Sequence, residues 1–129
     1  MLFLTPADID SYLIEVKDSI QKGKCRFELN DKRPSNIQLY TDYVLSEQES
    51  KQILLSLQAE DFSETVKNEH KGYEHEILYV FGKTVTLLER FGTGEKQVSL
   101  YIKINKLESN YIIIISFHEA QYKMKYAFK

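Results

Sequence analysis

The stretch VSLYIKINKLESNYIIIISFH, Val98 to His118, decides how this chain folds. Val98, Leu100, Ile102 and Ile104 alternate with Ser99, Tyr101 and Lys103, the period of a strand with one face on a core and one turned outward. Lys106–Asn110 then supplies turn residues, and Tyr111–Ile115 is apolar at every position, as a central strand covered by helices would be. The two halves therefore read as a β-hairpin in the core sheet. The hairpin also brings the chain's most reactive side chains to the sheet surface. Tyr101 and Lys103, two residues apart, project side by side at roughly 7 Å along the backbone. An ammonium and a phenol so placed suit a phosphate, although an ordinary solvent face has the same pattern. His118 ends an apolar strand, and imidazole can exchange a proton near neutral pH. A strand-end histidine with one backbone hydrogen bond is the bland alternative.

Working outward, the C-terminal half keeps the strand period. Glu74–Phe81, Thr84–Phe91 and Gln121–Phe128 join Gln97–Asn105 and Tyr111–His118 as strand candidates, with Gly82-Lys83 and Gly92-Thr-Gly94 as turns. Connections this short require antiparallel pairing. The N-terminal half reads differently. Thr5, Pro6 and Asp8 form a capping box opening a helix with Ile9, Tyr12, Leu13, Val16 and Ile20 on one stripe, and Gly23 ends it. Cys25, Phe27 and Leu29 alternate as a short strand, Asn30–Asn36 is a turn or loop, and Ile37–Val44 is ambiguous. Ser46-Glu-Gln-Glu49 caps a second helix, and Phe62 and Val66 suggest a short helix over Ala59–Lys67. The expectation is a single α+β domain over residues 1–129, with N-terminal helices packed on a C-terminal antiparallel sheet of about five strands.

Composition narrows the function. With 129 residues, 43% of them hydrophobic and 28% charged, the chain is one ordinary domain. No apolar run approaches the ~20 residues of a membrane span. The start, Met1-Leu-Phe-Leu4 before Thr5-Pro6, lacks the basic flank of a signal peptide. Cys25 is the only cysteine, which excludes an internal disulfide and a thiolate metal cluster; buried and inert is its expected state, and a cytoplasmic protein the plain reading. Net charge is −2, yet residues 96–129 hold six lysines against two glutamates, so a basic quarter that includes Lys123 and Lys125 sits on an acidic body. That is either a polyanion footprint or ordinary solubility and edge protection. His70 and Glu74-His75-Glu76 cluster two histidines and two carboxylates, but i, i+5 matches no common ligand spacing, so no metal is expected. His75 or Glu76 as a general base stays open. There is no phosphate-binding glycine loop, nucleophile elbow or HExxH pattern.

Three stretches resemble a known family. Leu13-Ile-Glu-Val-Lys17, continuing through Ile20-Gln-Lys-Gly-Lys24 to Arg26, is similar to the first helix and glycine exit of the MqsR family of type II toxins. Ile53-Leu-Leu-Ser-Leu57 with Glu60-Asp61-Phe62 resembles its "S-x-x-D-F" region. Leu100-Tyr101-Ile-Lys103-Ile104 and Ile114-Ile-Ser116-Phe117 resemble its terminal pair of strands. The resemblance implies a RelE-like fold, metal-free cleavage of mRNA without a cofactor, and a cognate antitoxin protein that silences the chain. It puts Tyr101 on an active-site tyrosine and His118 where the family has a lysine after "S-F". Glu64 falls on a second family lysine, with Lys67 one helical turn later as its possible substitute. A family glutamine falls near His75 or Glu76. The implied mechanism has Glu76 or His75 as base, Lys67 or Lys103 against the phosphate, His118 as acid, and Tyr101 orienting or stacking. Two alternatives compete: a scaffold that binds RNA without cutting it, and a protein-interaction module.

Overall fold

The computed structural model describes residues 3–129; Met1 and Leu2 of the N-terminal stretch read above lie outside the described residues. Helix α1, Pro6–Gln21, opens on the expected capping box: Thr5 accepts from the Asp8 amide while the Asp8 carboxylate accepts from the Thr5 amide. Its apolar stripe, Ile9, Tyr12, Leu13, Val16 and Ile20, is buried against the sheet. Each aliphatic side chain so buried contributes about 1.5–3 kcal/mol. Gly23 follows at φ 74°, the left-handed conformation expected of it. Next come β1, Cys25–Phe27; α2, Pro34–Asp42; β2, Tyr43–Val44; and α3, Glu47–Leu55, which carries the second capping box between Ser46 and Glu49. A short 3₁₀ turn at Ala59–Asp61 leads into β3, Phe62–Lys67, then β4, Ile77–Glu89, β5, Glu95–Lys106, and β6, Ile112–Glu119.

The α+β arrangement, helices ahead of the sheet, is as expected. Strand order is β1-β6-β5-β4-β2, with β3 paired to the first part of β4. All pairings are antiparallel except β1 with β6, which makes the sheet mixed. The Val98–His118 hairpin is present, and its inward residues Val98, Leu100, Ile102 and Ile104 are fully buried beneath the helices.

Three local expectations fail, each for a readable reason. Gly82-Lys83 is not a turn: β4 runs straight through it, so the two strand candidates on either side are one. The glycine answers a different need, because a Cβ there would stand 2.6 Å from the Tyr126 hydroxyl of the C-terminal segment. Ala59–Lys67 is not a helix. Phe62 and Val66 satisfy helical spacing by coincidence, since a bulge between Phe62 and Glu64 sends Phe62 to the core and Glu64 and Val66 to the outer face. Gln121–Phe128 forms no ladder. It is an extended strap across the outer face, where Met124, Tyr126 and Phe128 alternate inward and imitate a strand's period. The residues left open also resolve, with Pro34–Asn36 joining Ile37–Asp42 in α2 rather than ending a loop.

Candidate RNA-binding face

The outer face of the sheet is the side without helices. Alternation along β5 turns Ser99, Tyr101 and Lys103 there, and strand register aligns Gly82, Tyr101 and His118 in one row and Glu64, Val80, Lys103 and Ser116 in the next. Leu78, Val80, Ile115 and Met124 are buried on this face, apart from the main core.

Tyr101 and His118 meet as the register requires. Their rings stack at 5.2 Å between centroids with an 11° angle. His118 Nδ1 lies 2.9 Å from the Glu119 carbonyl, which as an acceptor holds the proton on Nδ1 and leaves Nε2 for another partner. Lys103 Nζ sits 5.9 Å from the centre of the Tyr101 ring. A cleft of about 480 Å³ opens beside them, lined by Arg33, Lys67, Asn68, His70, Tyr101 and Lys103 among others. Lys103 is half-buried and, among the described residues, makes no ion pair with a carboxylate. Burial and, next, the neighbouring Arg33 guanidinium push its ammonium below the usual lysine range. Glu69, which lines the same cleft, and Glu64, in the same row of the sheet, oppose that shift without overcoming it, so Lys103 and Arg33 remain cations open to an anion from solution. Burial foremost, then Tyr122 and Glu64, pushes the Tyr101 phenol above its ordinary range, so it remains a hydrogen-bond donor at neutral pH.

Lys123 and Lys125 come to the same region on the strap, sharing a second pocket with Tyr101, Glu64 and Tyr122. Lys67 reaches the rim of the cleft, but as the last residue of β3 it alternates to the side opposite Glu64 instead of following it by a helical turn. Glu76 and His75 lie elsewhere, lining a cleft at the sheet's end with Tyr12, Tyr79 and Lys106. The Glu76 carboxylate is engaged there, accepting from Asn68 Nδ2 at 2.9 Å and Asn105 Nδ2 at 3.0 Å. That clasp holds the 68–76 loop against β5. Cys25 is half-buried with its thiol pushed up by burial.

Sequence reasoning missed Arg33 and gave no catalytic role to Glu64. No local pattern marks Arg33, which reaches the cleft because α2 crosses β6. Glu64 carried a signal in hindsight: Glu64, Thr65 and Val66 fit a strand as well as a helix, and a strand puts the carboxylate beside Lys103. No family model matches this chain, and comparisons with curated proteins and with solved structures find no match.

Proposed function

We propose that this protein is a metal-free endoribonuclease that binds single-stranded mRNA across the outer face of its sheet, as a type II toxin held silent by a cognate antitoxin protein. The observation that carries the reading is the half-buried Lys103, in no ion pair among the described residues, sharing a cleft with Arg33 next to the Tyr101–His118 stack. The resemblance to the MqsR family supports it from the sequence side.

The chemistry follows from the rows of the sheet. Glu64 stands three strands across and two residues along from His118, roughly 16 Å between backbones, which leaves room for a phosphate once both side chains reach inward. In this scheme Glu64 takes the proton of a ribose 2′-hydroxyl. The new 2′-O–P bond forms as the P–O5′ bond breaks, and the leaving oxygen takes the Nε2 proton of His118 in its imidazolium form, which leaves the ring neutral with its proton on Nδ1 against the Glu119 carbonyl. Lys103 and Arg33 offset the charge gathered on the phosphorane, and Tyr101 donates a hydrogen bond to a phosphate oxygen. The products are a 2′,3′-cyclic phosphate and a 5′-hydroxyl. Glu64 takes the base role because Glu76 and His75 line a different cleft.

Labelled RNA, its all-deoxy counterpart and a chelator provide the test. The expected result is RNA cleavage to a cyclic phosphate, intact DNA, no effect of EDTA, and a loss of about 10²-fold or more in His118→Ala. Cleavage of DNA, or abolition by EDTA, contradicts the scheme. A second reading, RNA binding without cleavage, is favoured by the absence of the expected base from the cleft. It predicts tight, salt-sensitive binding with no product.

A further inference from the structure

The C-terminal strap holds an exposed aromatic ring where nothing in the fold uses it. Tyr122 is 70% exposed. It is nevertheless not on a loose tail, because the segment is pinned on both sides. Upstream, the Ala120 amide donates to the Ser99 carbonyl at 2.7 Å. Downstream, Met124 is buried, Tyr126 fits the notch left by Gly82, and the Ala127 amide donates to Phe62 at 3.0 Å. Phe128 closes the strap by stacking on Phe62 at 5.9 Å. Residues 121–123 therefore form a short bridge that carries Tyr122 over the sheet next to Tyr101.

Between this bridge and the sheet lies a pocket of about 310 Å³ lined by Glu64, Tyr101, Tyr122, Lys123 and Lys125, at the small end of ligand sites. His118 is the only ring stacked on Tyr101 among the described residues, so the two tyrosines border the pocket without filling it with each other. Two lysines stand at its rim. Two aromatic rings lining one pocket with cations alongside are what proteins use to hold one base of a single strand and the phosphate next to it.

We infer that this pocket is a nucleobase subsite, in which one unpaired base of the bound RNA lies between Tyr101 and Tyr122. The inference rests on the RNA-binding reading above and adds the part of the ligand that is recognised. Stacking accepts any base, since every base has a flat π face, so the subsite selects for an unpaired strand more than for a sequence. The phosphate of that nucleotide then falls toward Lys103 and Arg33, which puts the base and phosphate contacts on adjoining rows of the sheet.

The test measures affinity of the full chain for a short 2′-O-methylated single-stranded RNA, which cannot be cut, by fluorescence anisotropy. Tyr122→Ala is expected to weaken binding about tenfold, the size of one base–aromatic stack, with Tyr122→Phe close to wild type. An abasic residue scanned along the RNA should find one position where removing the base costs the wild type a similar factor and costs Tyr122→Ala nothing. Equal binding by wild type and Tyr122→Ala, or the same abasic loss in both, overturns the subsite while leaving RNA binding intact. If the wild type binds no RNA at all, the proposed function and the subsite both fall.

Discussion

Replacing Asn36 by alanine should be among the most damaging single changes available to this protein. Asn36 sits on α2, is 2% exposed, and spends its whole side-chain amide on backbone. Its Nδ2 donates to the carbonyls of Glu28 at 2.8 Å and Ile115 at 2.9 Å, and its Oδ1 accepts from the Phe117 amide at 2.9 Å. Strand β1 pairs with β6 only as far as Ile114. Beyond that point the Asn36 amide does the work of one more peptide unit, satisfying Ile115 and Phe117 as a neighbouring strand would. Three bonds at about 1 kcal/mol net, with some desolvation left uncompensated, put the loss at about 3–5 kcal/mol. That is a large share of a total stability of about 5–15 kcal/mol. Urea denaturation reads it directly. With a slope of about 2 kcal/mol per molar, the midpoint should fall by about 1.5–2.5 M at unchanged slope. Gln38→Ala, an exposed change on the same helix, is the control and should move it little. A loss under about 1 kcal/mol for Asn36→Ala would show that water or a shifted strand replaces the amide, and the account of how β6 is held past β1 would be wrong.

Lys103→Met should cost RNA affinity and lower the slope of log affinity against log salt by about 0.7, one phosphate contact on a single strand; an unchanged slope removes Lys103 from the phosphate site. The same variant carries a pH signature. Because the fold disfavours the charged lysine, the unfolded chain holds that proton to higher pH, so wild-type stability should rise with pH between the lowered folded pKa and the ordinary lysine value. Denaturation curves across that window should show the rise in wild type and lose it in Lys103→Met. Glu76→Gln keeps an oxygen for Asn68 and Asn105, so stability should fall by about 1 kcal/mol while the cleavage rate stays within about threefold. A rate loss of about 10²-fold or more would return Glu76 to the role of base. Gly82→Val puts a side chain 2.6 Å from the Tyr126 hydroxyl and 3.1 Å from Met124 Cγ. It should lift the strap, cost about 1–3 kcal/mol and speed hydrogen exchange at the Ala127 amide; an unchanged exchange rate would show that the strap does not depend on the notch.

Much of this architecture was legible in the chain. Capping boxes at Thr5 and Ser46 are local, since a side chain meets an amide three residues away, and no tertiary contact is needed to read them. The faces of β5 were equally legible, because strand geometry turns successive side chains to opposite sides whatever the neighbours are. Hence Tyr101 and Lys103 were placed together correctly, with His118 near them. What the sequence left undecided depended on which segments cross. Whether Phe62–Val66 coils or extends is settled by pairing with β4, and Gly82 is explained only by a strap arriving from more than forty residues away. Arg33 comes to the cleft that Lys103 lines, and Glu76 is drawn away to Asn68 and Asn105, through packing that no local period encodes. Sequence alone determined the capped starts of α1 and α3, the α+β class and the outward face of the Val98–His118 hairpin, because backbone geometry fixes those over a few residues. Only the tertiary structure decided which charges share the cleft with Tyr101, because charges act through space, and the distances between them are set by strand order and helix crossing.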